Sequence, residues 1–193
     1  MCGRFVLSNF TDVKDFHNVL IEPSYNIAPS HYTLIFNQEM RPDFLEWGYS
    51  PIWAKKPMNL INAKYESLDI KPSFKDYETC VFVADGWFEW QKNSRGEKHP
   101  IFIHADNEIF YFAGIKNASG AAIVTINAHP NLTNIHHRQP MFLDRLETSF
   151  WLKDKQKVSS SSLLERIKSH PVSKYVNSPI NNDQRCILET NLE

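Results

Sequence analysis

The residues with the most chemistry open to them stand at the start of the chain, in Met1-Cys2-Gly3-Arg4-Phe5. Trimming the initiator methionine would leave Cys2 first, with two nucleophiles on adjacent carbons. Its α-amino group has a reference pKa near ~7.7 against ~10.4 for lysine, so roughly a sixth is free base at pH 7. Its thiol, near ~8.5, needs only a modest depression to react. Together they form a 1,2-aminothiol, which condenses with an aldehyde as an imine and closes through sulfur into a thiazolidine ring. An aldehyde is therefore the first substrate class to consider. Position alone argues for a blander role, a small apolar residue at a frayed chain end.

Three other stretches hold groups able to assist. In Asp85-Gly86-Trp87-Phe88-Glu89-Trp90 the carboxylate of Glu89 is flanked by aromatics. Desolvation there would raise its pKa into the range useful for proton transfer. Periodicity alone favours the alternative, a half-exposed strand with Glu89 turned to water. In Asn131 to Pro140, His136, His137 and Arg138 crowd a loop between strands. Zinc would need a further placed ligand and a different spacing, so a histidine near a carboxylate and a thiol is the better functional reading. Asn62, Lys64 and Glu66 alternate and would share one face of a strand. Trp53-Ala54-Lys55-Lys56-Pro57 sets an aromatic beside two cations, suited to stacking and phosphate contact or simply to a solvated loop with one anchoring tryptophan.

The elements that must position these groups are mostly strands. Tyr32 to Phe36 and Phe44 to Trp47 read as a strand pair, and Cys80 to Ala84 as a fully buried strand. Asn93 to Lys98 with Gly96 reads as a hairpin connection, followed by strands at Pro100 to His104, Ile109 to Ile115 and Ala121 to Ile126. Ser24 to Pro29 reads as an ordered loop, since Pro29 restricts the residue before it. Helices are few and short. Thr11 caps one carrying Val13, Phe16, Val19 and Leu20, Asp144 to Glu147 has capping-box form ahead of Phe150 to Leu152, and Ser161 opens another over Leu163 to Ile167. His170 to Asn177 reads as a final strand.

With 193 residues, 42% of them hydrophobic and 13% aromatic, the chain can bury one sizeable core. No run is long enough to span a membrane, and no secretory segment precedes the first charges, so a cytoplasmic protein is expected. Cys2, Cys80 and Cys186 are odd in number and lack metal-ligand spacing, which argues for reduced thiols and against a bound metal. A net charge of −1 supplies no global field for nucleic acid, so any such partner must meet a local patch.

In register along the chain, Met1 to Phe5, Tyr25-Asn26-Ile27-Ala28-Pro29, Trp47-Gly48, Asn62-Ala63-Lys64, Ala84 to Trp90, Ala113-Gly114 and His136-His137-Arg138-Gln139-Pro140 resemble the SRAP family, the SOS-response-associated peptidases. The resemblance runs from Cys2 to about Ile187. It implies an α+β fold, one mixed domain over residues 1–193 with a β-barrel-like sheet core and short peripheral helices. It implies a monomer that needs no cofactor, binds single-stranded DNA containing an abasic site, and joins it covalently through Cys2 after Met1 is removed. On DNA the protein would be nucleoid-associated. By position, Cys2 is the nucleophile, Asn62 and His136 line the aldehyde site and Glu89 is the acid and base. Arg4, Asn26 and Arg138 are the implied phosphate or sugar contacts, and Pro29 and Trp53 the apolar contacts with bases. Lys64 stands where the family commonly has arginine, which keeps a phosphate-binding charge but loses the bidentate fork.

Two other functions use the same residues. An N-terminal-nucleophile amidase would attack an amide with the Cys2 thiol, and Met1 removal would then be its own reaction. A single-strand binding module would leave Cys2 incidental.

Overall fold

Runs of β-branched and aromatic residues between turn formers become strands over most of the chain, in a computed structural model that describes residues 2–9, 19–106, 108–159 and 161–191. They are β1 (Phe5–Leu7), β2 (Ser24–Ile27), β3 (Tyr32–Phe36), β4 (Pro42–Glu46), β5 (Asn62–Lys64), β6 (Glu78–Ala84), β7 (Gly86–Lys92), β8 (Lys98–His104), β9 (Phe110–Asn117), β10 (Gly120–Asn127), β11 (Arg138–Pro140), β12 (Phe142–Leu143) and β13 (Lys168–Pro171). One α-helix is present among the described residues, α1 (Thr148–Asp154). Short 3-10 turns fill several connections.

Five strands form an antiparallel sheet in the order β13-β8-β7-β1-β2. The other eight form a second sheet in the order β11-β10-β9-β6-β3-β4, with β12 beside β9 and β5 parallel to β10. The mixed, sheet-dominated α+β class is as expected. The barrel is not: among the described residues the sheets stay open and face each other. Alternation sends Phe5, Leu7, Trp87, Ile101 and Ile103 inward to a core shared with Phe82 and Phe112 of the larger sheet. Edge-to-face rings cross the gap, Phe5 against Phe112 at 6.0 Å and Trp87 against Phe112 at 5.9 Å. Each such ring contributes roughly 1.5–3 kcal/mol by leaving water.

The opposite face of the five-stranded sheet is also covered. Val6, Phe88 and Phe102 pack under Val172, Val176 and Cys186 of the C-terminal segment. β7 is thus buried on both faces, and the layer is tight. A Cβ on Gly86 would lie 2.3 Å from the Phe102 ring.

The capping box forms as its sequence requires, with Asp144 N–H donating to Glu147 Oε2 at 2.7 Å and Glu147 N–H to Asp144 Oδ1 at 2.8 Å. Three expectations are corrected. Ser24 to Ile27 is a strand, because Tyr25 and Asn26 N–H groups find an acceptor in Asn182 Oδ1 while the segment also pairs with β1. The segment after Ser161 makes only a 3-10 turn, Ser162–Glu165. The final strand stops at Pro171, where the backbone donor is lost, and a 3-10 turn over Lys174–Asn177 follows. The helix expected after Thr11 falls chiefly on 10–18, outside the described residues. No described helix is long and apolar enough to cross a membrane.

Candidate active site

Cys2 lies just ahead of β1 with its side chain fully buried in the shared core. Its Sγ faces the Arg4 carbonyl at 3.7 Å, and its own carbonyl accepts a hydrogen bond from Asn62 Nδ2 at 2.8 Å. Asn62 opens β5, where parallel pairing with β10 sets it opposite Ile123. Just before it, Trp47 Nε1 donates to the Ile61 carbonyl at 2.8 Å. The amide of Asn62 is therefore delivered from the eight-stranded sheet to a residue attached to the other. Its Oδ1 is buried without a hydrogen-bond partner among the described residues.

Glu89 sits on β7, and the Phe88 N–H donates to the Arg4 carbonyl at 3.0 Å, tying the strand of Glu89 to the segment of Cys2. Sharing a face with Trp87, Glu89 points into the space between the sheets and is 3% exposed. Burial raises its pKa to about 7. The Cys2 thiol is pushed well above its usual value, first by burial and then by the negative charge of Glu89. The thiol is accordingly neutral, beside a carboxyl group that can give or take a proton near neutral pH.

His136 follows a 3-10 turn at Pro130–Leu132 and comes after the buried Leu132 and Ile135. Its Nδ1 lies 3.0 Å from the Arg138 N–H and 3.1 Å from the Arg138 carbonyl, accepting from the one or donating to the other according to its tautomer. The ring stacks on His137 at 4.3 Å, and burial lowers its pKa. It is a neutral imidazole on a loop joining β10 and β11. A link to the other sheet runs from Gln91 Nε2 to the Asn134 carbonyl at 2.9 Å. Among the described residues no three His, Cys, Asp or Glu side chains gather as a metal site.

Residues 1–179 match the family described as SOS response associated peptidase, SRAP. The chain belongs to the SRAP family. It is similar to the abasic site processing protein YoqW of Bacillus subtilis (strain 168), 34% identical over 97% of this chain and 99% of that one. It is also similar to the abasic site processing protein YedK of Escherichia coli (strain K12), 30% identical over 97% and 99%. A more distant likeness is to the abasic site processing protein HMCES of Mus musculus, 26% identical over 88% of this chain and 66% of that one. In fold, it is similar to a crystal structure of a Bacteroides thetaiotaomicron protein, with a TM-score of 0.76 and 20% identity over 98% and 100% of the two chains.

The expected contact residues of this SRAP chain divide by exposure. Lys64 is exposed at the end of β5. Trp53 is 60% exposed, its ring held by Nε1 donating to the Pro72 carbonyl at 3.3 Å. Pro29 is half-buried in a turn beside Ser30, whose φ is 69°. Arg4, also half-buried, donates from Nη1 to the Val176 carbonyl at 3.3 Å. Asn26 and Arg138 are placed differently from their expected surface roles. Asn26 is 1% exposed, and its Nδ2 donates to the carbonyls of Val176, Ser178 and Asn181, fastening the C-terminal segment. Arg138 is 4% exposed and grips Glu66 with both Nη atoms, at 2.6 and 3.1 Å, while also donating to Asn127 Oδ1 and the Thr125 carbonyl. Both are buried and hydrogen-bonded within the protein. Glu66 itself lies on a 3-10 turn and not on the strand that the alternation suggested.

Gln91 escaped the sequence reading. Its signal was only its place, two residues beyond Glu89 and so on the same strand face.

Proposed function

We propose that this protein processes abasic sites in single-stranded DNA by joining them covalently to Cys2 once Met1 is removed. The reading is carried by one observation, the meeting of Cys2, Asn62 and a Glu89 carboxyl raised to about 7 in the space between the sheets. The relatives' names as abasic site processing proteins support it.

The ring-opened abasic deoxyribose carries an aldehyde at C1′. The freed Cys2 amine adds to C1′, the carbinolamine loses one water, and an imine forms. The thiol then adds to the imine carbon, forming the S–C1′ bond while its proton passes to nitrogen. Glu89 carries protons in both steps, donating to the departing hydroxyl and accepting from the amine or thiol. A thiol held neutral by burial fits this amine-first order, since sulfur is needed only after the imine exists. Ring closure also removes the imine that would otherwise drive strand cleavage by β-elimination, the lyase outcome. His136 is suited to hydrogen-bond a sugar oxygen. Asn62 holds the Cys2 carbonyl, and its unpartnered Oδ1 is an acceptor for the freed amine. Making the attack intramolecular is worth roughly 7 kcal/mol or more of the barrier when geometry is right. Lys64, Trp53, Pro29 and Arg4 remain as proposed contacts with the strand, and damage-linked expression in the SOS response would suit such a role.

The test is intact mass after mixing Met1-free protein with an abasic oligonucleotide. A species heavier by the oligonucleotide less one water is expected, and Cys2→Ala should give no stable product. Correctly processed wild-type protein that forms no adduct would falsify the reading.

A further inference from the structure

We infer that Gln91 is a positioning residue, which sets the distance between the His136 loop and Glu89 by tying the Asn134 carbonyl to β7. The inference rests on the proposed reaction at Cys2. Glu89 belongs to the five-stranded sheet, whereas His136 hangs on the β10–β11 connection of the other. Nothing covalent fixes their separation. On the far side of the site, Asn62 Nδ2 crosses from the larger sheet to the Cys2 carbonyl at 2.8 Å. On the near side, Gln91 Nε2 crosses in the opposite sense to the Asn134 carbonyl at 2.9 Å, two residues from each of the groups it aligns.

The rest of the loop is anchored to its own sheet. Leu132 and Ile135 are buried, the His129 N–H donates to Gln139 Oε1 at 2.8 Å, and the Ala128 N–H donates to the His137 carbonyl at 3.0 Å. These bonds fix the loop's shape but not its approach to β7. Asn134 is exposed and takes part through its backbone carbonyl, so the side chain at position 91 carries the specificity of the tie. A donor of sufficient length is required there. Glutamine supplies one, lysine would supply another, and glutamate would set an acceptor against an acceptor.

The experiment compares Gln91→Leu, Gln91→Lys and Gln91→Glu with wild type in single-turnover adduct formation on an abasic oligonucleotide. Kd for the same strand with an intact base, thermal midpoint and the His136 ring resonances are read in parallel. The expected result is a rate lowered roughly 10- to 100-fold in Gln91→Leu, the effect of a displacement near 1 Å, with Kd unchanged. Gln91→Lys should restore most of the rate, Gln91→Glu should fall at or below Gln91→Leu, and His136 should shift in the two slow variants alone. A Gln91→Leu rate within twofold of wild type, or a loss that Gln91→Lys does not repair, overturns the inference. Should wild type form no adduct, the proposed reaction fails; the His136 resonances, read without DNA, still decide whether Gln91 places the loop.

Discussion

Asp85 and Glu89 are two carboxylates four residues apart, both buried against the same strand, and the protein surrounds them differently. Asp85 is 4% exposed, and its Oδ2 accepts from the Ser8 N–H at 2.7 Å, the Ser8 hydroxyl at 3.0 Å and the Asn9 N–H at 2.6 Å. Burial raises its pKa, and those hydrogen bonds pull it back. Glu89, equally buried, rises to about 7, with desolvation outweighing the interactions that lower it. Burial raises both carboxylates, and the interactions around each set how far the rise goes. One carboxylate stitches β1 to the turn before β7. The other, with a pKa raised to about 7, is the proposed proton carrier.

That contrast can be broken first at its chemical end. Glu89→Gln removes the titrating proton but keeps the shape, and adduct formation should slow by roughly 10²- to 10⁴-fold, read by quenched-flow gel assay. The folded protein should remain. At the structural end, Asp85→Ala strands two backbone N–H groups and should cost about 2–4 kcal/mol in urea unfolding. Its surviving folded fraction should still react, so equal loss of intrinsic rate in Asp85→Ala and Glu89→Gln would erase the distinction.

A pH series sharpens it further. Glu89 has a folded pKa of about 7, above its unfolded value, so the folded state holds the proton more tightly. Its stabilising effect is greatest at low pH, declines as pH rises through the unfolded value, and has become a full penalty above the folded pKa. Glu89→Gln should therefore match wild type near pH 4 and exceed it by at most about 3 kcal/mol at pH 8. Denaturation curves that coincide at both pH values would show that Glu89 is not held in a raised state.

The smallest expected effect belongs to a third carboxylate. The pKa of Glu66 is lowered by its hydrogen bonds to Arg138, so its contribution is present above the unfolded pKa and lost as pH falls through the folded one. With its side chain 55% exposed, solvent screens the pair, and Glu66→Gln should cost only about 0.5–1 kcal/mol at pH 7, vanishing in acid. A loss above that range in thermal melts would place Glu66 with Asp85 as a structural carboxylate.

Much of this architecture was legible before any coordinates. Strand-forming runs at Tyr32 to Phe36, Cys80 to Ala84 and Ala121 to Ile126 became β3, β6 and β10, because alternation and β-branching act within a few residues. The Asp144 to Glu147 box likewise formed from local bonds alone. The burial of Asn26 was not legible because its three carbonyl partners lie on a segment 150 or more residues away. The grip of Arg138 on Glu66 was not legible because Glu66 reaches it only once β5 pairs with β10. Neither partnership has a local signal.

Sequence by itself determined which groups could react: a cysteine next to Met1, a carboxyl between aromatics, and a histidine on a loop. It also determined that Trp87, Glu89 and Gln91 share a face, since side chains alternate along any strand. Which way that face turns was decided only by tertiary structure. Alternation suggested that one face of β7 would meet water, and Glu89 was assigned to it. The C-terminal segment covers the opposite face through Val172, Val176 and Cys186, so around Phe88 and Glu89 no watery face remains. Glu89 is thereby enclosed between two sheets and beside Cys2, where desolvation gives an ordinary carboxylate the pKa of a proton carrier.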